Sequence, residues 1–118
     1  MLINSFLAVF GMKKLKYTPD LVPLILDGSK RCTWRLFDDK QLRCGDICSF
    51  LDSETLEQFA TAELTSVKET RFRYLTDEDW EGHERYPCEE LMYQTYSAYY
   101  GQKVDEDTIL KIIKFKLL

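Results

Sequence analysis

The chain has 118 residues, enough for one domain with a real hydrophobic core. Its 45% apolar and 31% charged residues mark an ordinary globular protein, which argues against a disordered or fibrous chain. A net charge of −4 argues against binding to long nucleic acid through counterion release, which needs a broad basic face. The charge is uneven, however. Residues 1–52 carry eight Lys/Arg and six Asp/Glu, against eight and fourteen in residues 53–118, so a basic pocket within the first half stays open.

The opening MLINSFLAVFG is apolar but lacks a basic residue ahead of the run, unlike a signal peptide, and it is too short to span a membrane. Two readings of residues 1–11 stand: an upstream extension, with Met12 as the natural start, or an extra strand. The first is preferred, and residues 12–118 form the domain. KLKYT (14–18) is short enough for a strand. TPDLVPLILDG (18–28) carries helix punctuation: Thr18 or Asp20 as a cap, Pro19 in the first turn and Gly28 as a stop. Leu21, Leu24 and Ile25 are then the core-facing residues. KRCTWRLF (30–37) reads as a strand, followed by a polar connection with a Gly45-Asp46 turn and a short buried strand over ICSFLD (47–52).

Alternation over EQFATAELTSVKETRFRYL (57–75) predicts one long bent strand or two shorter ones. TDEDWEGHER (76–85) opens with a Thr cap and an acidic first turn, so a short, solvated helix is expected there. In CEELMYQTYSAYYG (88–101), Cys88, Leu91, Met92, Thr95, Tyr96 and Tyr99 recur on one helical face and Gly101 is the stop. TILKIIKFKLL (108–118) closes as a strand. Many strands with an early and a late helix predict an α+β fold, a small barrel with helices closing its ends. Such barrels place ligands at a mouth where loops and helix ends converge.

The four cysteines, Cys32, Cys44, Cys48 and Cys88, lack the spacing of a zinc site and the setting of a disulfide scaffold. Reduced and mostly buried thiols in a cytoplasmic protein are the expectation. The single histidine, His83, rules out a His-rich metal site, and on an acidic loop it reads as incidental. No metal or cofactor is expected.

The octapeptide GSKRCTWR (28–35) packs a glycine, lysine, threonine and arginine together. Locally it is a helix stop followed by a strand, with Lys30 complementing the helix dipole. A regular strand from residue 30 would turn Lys30 and Thr33 to opposite faces, so cooperation between them requires a kink over 30–32. Arg31, Thr33 and Arg35 share a face. Trp34, opposite Thr33, is the candidate for stacking on a base, ahead of the tyrosines at 93, 96, 99 and 100.

ILDGSKRCTWR resembles the signature of the ASCH domain family, a PUA-like β-barrel: glycine, any residue, lysine, two residues, threonine, one residue, arginine. LRCGD, LTDEDWEGHER, EELMYQTYSAYYG and IIKFKLL are similar to the family's later elements in the same order, covering roughly residues 13–118. The resemblance implies a PUA-like barrel. Small single-domain bacterial members include amidohydrolases that cleave N4-acetylcytidine to cytidine and acetate. By that likeness Thr33 would be the nucleophile, Lys30 its proton acceptor and Glu84 the proton donor, with Glu81 as the fallback. Arg35 would position the pyrimidine or the oxyanion.

The chemistry sets its own demands. A threonine hydroxyl needs a neighbouring base, and a lysine serves only when neutral. Bringing its pKa of about 10.4 near 7 requires about 4 kcal/mol against the ammonium, from burial or from Arg31 and Arg35. An ionised Glu84 in contact would oppose this, so Glu84 is expected protonated or apart from Lys30. The backbone N–H groups after Gly28 are candidates for an oxyanion hole, which makes Gly28 a candidate substrate-binding position.

Hydrolysis of a small, neutral nucleoside is therefore the preferred reading, for a monomer with no membrane partner. The alternative is an RNA-binding PUA-like module without activity, its groove lined by Arg31, Arg35, Lys40, Arg43, Lys68, Arg71 and Arg73.

Overall fold

Lysines 14 and 16 alternate with Leu15 and Tyr17, and that period of two makes the first strand amphipathic, with Leu15 and Tyr17 inward. In the computed structural model, which describes residues 12–118, this strand is β1 (Lys13–Tyr17). The two readings of residues 1–11 lie outside the described residues. A 3-10 turn (Pro19–Leu21) leads into the short helix α1 (Val22–Leu26), followed by β2 (Cys32–Leu36), β3 (Ile47–Asp52) and β4 (Gln58–Arg71). A second 3-10 turn (Phe72–Tyr74), helices α2 (Asp77–Trp80) and α3 (Glu89–Tyr100), and β5 (Ile109–Leu117) complete the chain.

The five strands form one sheet in the order β1-β3-β4-β5-β2, with β1 parallel to β3 and every other pair antiparallel. The sheet curls because β4 is one long strand whose register with β5 shifts between Leu64 and Ser66. An irregularity of this kind bends a strand and raises its twist. Curling brings the two edge strands together without backbone pairing between them. The Arg35 side chain crosses the gap instead, donating from Nη2 to the Lys16 carbonyl at 2.9 Å. The result is an incompletely closed barrel, the α+β architecture expected.

Alternation along β5 divides the core in two. Ile113 and Phe115 face the interior of the curl, where they join Leu15, Tyr17, Ile25, Phe50 and Leu64. Leu110 and Ile112 face outward under α3 and pack with Trp34, Leu36, Phe72, Met92 and Tyr96. On β2 the same alternation sends Cys32, Trp34 and Leu36 toward α3, and Thr33 and Arg35 toward the seam between the edges.

Three expectations need correcting. Leu24 is exposed, because five-residue α1 buries only Ile25 while Leu21 packs from the turn before it. Helix α3 docks through Met92 and Tyr96, leaving Cys88, Leu91, Thr95 and Tyr99 exposed. Spacings of three and four residues define neighbouring helical stripes, and contact with Trp34 and Phe72 selects between them. The acidic turn of α2 is not wholly solvated: Thr76 and Asp79 form a reciprocal capping box, and buried Asp79 also pairs with Lys68 at 3.0 Å. Of the thiols, Cys32 and Cys48 are buried, whereas Cys44 and Cys88 are exposed, and all four are free. Among the described residues no helix is long and apolar enough to cross a membrane.

Phe50 is fully buried, with its ring 4.8 Å from that of Tyr17 and 4.9 Å from that of Phe115. Phe50→Ala is expected to cost about 3–5 kcal/mol, read as a lowered midpoint in urea denaturation.

Candidate active site

The turn that follows α1 decides where Lys30 goes. Gly28 takes φ +86°, a conformation glycine adopts without strain, and the Lys30 N–H then bonds back to the Leu24 carbonyl at 2.9 Å. Next, the N–H groups of Arg31 and Cys32 both donate to the carbonyl of Gly82, at 2.8 and 3.1 Å. Successive N–H groups of a regular strand point to opposite sides, so their convergence on one oxygen marks a kink at 31–32. The departure from strand geometry that cooperation required is present. Lys30 and Thr33 both line one cavity, and both are buried.

Position 82 in turn favours glycine. Its φ is +78°, and a Cβ there would lie 3.1 Å from Cβ of Arg31 and 3.4 Å from its amide nitrogen. This close approach carries the 82–86 loop across the start of β2 and sets Glu84 over Lys30. The Lys30 ammonium donates to the Cys32 carbonyl at 2.7 Å and forms a direct ion pair with the Glu84 carboxylate. Glu84 is therefore in contact with Lys30, not apart from it.

The cavity occupies the seam between β1 and β2 and has a volume of about 270 Å³, just below the roughly 300–1,000 Å³ of small-ligand sites. Lys30, Thr33 and Arg35 form its base, and Tyr17 and Leu21 one wall. His83, Glu84 and Tyr86 come from the loop, while Tyr96, Tyr99 and Tyr100 come from α3. Burial pushes the Lys30 amine below its ordinary pKa, and the Glu84 charge opposes that shift. Nearby Arg35 adds a smaller push in the same direction as burial, whereas Arg31 is exposed.

His83 is not the surface residue its acidic neighbours suggested. Its ring stacks on Trp34, with centroids 3.9 Å apart and planes 19° from parallel, and it is buried. Burial, reinforced by Lys30, pushes its pKa down to about 2, so the ring is neutral. Nδ1 lies 2.8 Å from the Glu84 carbonyl, an acceptor, which assigns the proton to Nδ1. Nε2 then offers its lone pair toward the Tyr96 hydroxyl at 3.4 Å and lies 3.5 Å from Glu84 Oε1.

Of the residues singled out in the sequence, Lys30, Thr33, Trp34, Arg35 and Glu84 line the cavity. Gly28 does not, and the amides around it are occupied: Gly28 N–H bonds to Ile25, Ser29 N–H to Asp27 and Lys30 N–H to Leu24. With Arg31 N–H on Gly82, these amides form no oxyanion hole. Trp34 contributes a wall but not an open stacking platform, because His83 covers one face and Nε1 is held by the Asp79 carbonyl at 3.2 Å. Glu81 is exposed, with its carbonyl receiving Lys114, and does not line the cavity. Tyr17 and Tyr86 had no sequence signal of a site, and His83 had only its place beside Glu84: each is an aromatic ring whose neighbours are set by the fold.

No protein-family model and no curated relative matches this chain. Several solved structures do. The ASCH domain of Lactobacillus crispatus superposes with a TM-score of 0.65 at 15% identity, covering 98% of this chain and 90% of that one. A protein from Enterococcus faecalis gives 0.74 at 17% identity, covering 99% and 90%. The ASCH protein of Zymomonas mobilis gives 0.61 at 11% identity, covering 87% and 65%. The protein thus has the fold of ASCH domains, a PUA-like α+β arrangement built on one curled five-stranded sheet.

Two outcomes follow from this geometry. Gly82→Ala is expected to destabilise by about 1–2 kcal/mol in thermal or urea denaturation, through its positive φ and the Arg31 contact. His83 is the one histidine of the chain, so its linkage is separable. Unfolded, it takes a proton near pH 6.5, but the folded ring stays neutral down to about 2. The unfolded state thus binds more protons below 6.5, and stability falls as pH drops. Between pH 6.5 and 5 the slope should approach about 1.4 kcal/mol per pH unit and flatten in His83→Gln.

Proposed function

We propose that this protein is an amidohydrolase that cleaves N4-acetylcytidine and related N4-acylated cytosines to the free cytosine compound and a carboxylate. The observation that carries the reading is the meeting of Lys30, Thr33 and Glu84 in one aromatic-walled cavity, with Glu84 brought in from 54 residues away. The likeness of GSKRCTWR to the ASCH signature and the shared fold support it.

In this reading the ion pair is the resting form. Moving one proton from the Lys30 ammonium to Glu84 yields a neutral amine and a neutral carboxylic acid together, the two states the reaction needs. The amine keeps an N–H on the Cys32 carbonyl and gains a lone pair for the Thr33 proton. Thr33 Oγ1 attacks the acyl carbon, Lys30 takes the hydroxyl proton, and Glu84 protonates N4 as the C–N bond breaks. Water then attacks the threonyl ester, which releases the carboxylate and restores the hydroxyl. Burial keeps the amine poised for this exchange, and the tyrosines offer flat faces to a pyrimidine.

The cavity favours a small molecule over RNA. Several side chains proposed for an RNA groove are already engaged: Lys68 pairs with Asp79, Arg73 with Glu106 and Asp107, and Arg35 spans the seam.

Purified protein incubated with N4-acetylcytidine should show the absorbance change of deacylation. Thr33→Ala should fall to background, and Lys30→Met and Glu84→Gln should each lose about 10²–10⁴-fold in kcat. Undiminished turnover in Thr33→Ala would remove the nucleophile assignment, and an inactive wild type would remove the function.

A further inference from the structure

An acyl carbonyl under attack places negative charge on its oxygen, and the site must supply donors there. The amides after Gly28 are bonded elsewhere, so the donor has to come from another part of the cavity. Among the described residues, one buried side-chain polar atom lacks a hydrogen-bond partner: the hydroxyl of Tyr17. Its ring is anchored by Phe50 and Phe59, at 4.8 and 6.1 Å, and lines the seam cavity beside Thr33 and Arg35. The Arg35 guanidinium sits over the same ring, 4.7 Å from its centroid.

Burial raises the phenol's pKa to about 12, offset in part by Arg35 and Thr33, which come near the hydroxyl without reaching hydrogen-bond geometry. The group therefore holds its proton at neutral pH and remains a donor. A buried hydroxyl left unbonded is costly, and a ligand oxygen arriving beside Thr33 would satisfy it.

We propose that the Tyr17 hydroxyl, with the Arg35 charge beside it, is the oxyanion donor for the acyl oxygen of the substrate. The inference rests on the amidohydrolase reading. As Thr33 Oγ1 bonds to the acyl carbon and its proton passes to Lys30, the carbonyl π pair moves onto oxygen. That oxygen accepts the Tyr17 O–H hydrogen bond, with no transfer of the proton. When the pair returns, the C–N4 bond breaks and N4 takes the proton from Glu84. Tyr17 would thus touch the reacting atoms without changing its own protonation state.

Tyr17→Phe removes one oxygen from a well-packed ring and tests the assignment directly. The expected result is a fall of about 10²–10³-fold in kcat on N4-acetylcytidine, with KM nearly unchanged, since the bond strengthens only as charge develops. Thermal stability of Tyr17→Phe should equal or exceed that of the wild type, because the lost hydroxyl had no partner to lose. A wild-type kcat in Tyr17→Phe, or a loss confined to KM, would overturn the oxyanion assignment while leaving the hydrolase reading in place. A wild type with no turnover would overturn both. A kcat loss accompanied by a lowered melting temperature would mark Tyr17 as a packing residue, against the proposal.

Discussion

The carbonyl of Gly82 accepts from two consecutive amides, those of Arg31 and Cys32, and the rest of the site hangs on that junction. It stops β2 from extending back through Lys30, and so lets Lys30 fall on the same side as Thr33. It also pins the 82–86 loop, which carries His83 and Glu84 into the cavity wall. A side chain at residue 82 would crowd the junction, because its Cβ would lie 3.1 Å from Cβ of Arg31. One backbone oxygen thereby couples the strand that holds Thr33 to the loop that holds Glu84.

The cavity exists because the barrel does not close. The edges β1 and β2 approach without a backbone ladder, and the gap is bridged by the Arg35 side chain alone among the hydrogen bonds described between these strands. A ladder there would have closed the seam that the cavity occupies. Polar groups of both edges lie in or beside this small cavity, where burial lowers the Lys30 pKa and raises that of Tyr17. Both shifts favour the neutral forms, an amine able to accept and a phenol able to donate. Neutral His83, stacked on Trp34, completes a wall that adds no charge of its own.

Much of the fold was legible from local pattern. Alternation marked the strands, with β4 resolving as one long bent strand. Thr76 and Gly101 marked helix ends as capping and left-handed geometry require. Where local pattern misled, the cause was a choice between equivalent faces. The stripe through Leu91, Thr95 and Tyr99 fits helical spacing about as well as the pair Met92 and Tyr96, and only docking against Trp34 and Phe72 separates them. Likewise an acidic run predicts solvation, yet Asp79 turns inward because Thr76 and Lys68 supply its partners.

By itself the sequence determined the elements, the glycine stops and the grouping of Lys30, Thr33 and Arg35 within one short segment, because these depend on steric and periodic preferences over a few residues. It also raised the question of a kink, since strand alternation forbids Lys30 and Thr33 a common face. Only the tertiary structure decided that the kink is there, that Glu84 lies against Lys30, that His83 is buried and that the Tyr17 hydroxyl is buried without a partner. Those outcomes depend on which strands become edges and which loop crosses them. Such contacts join residues tens of positions apart, and they follow from how the curled sheet meets itself rather than from any local stretch of chain.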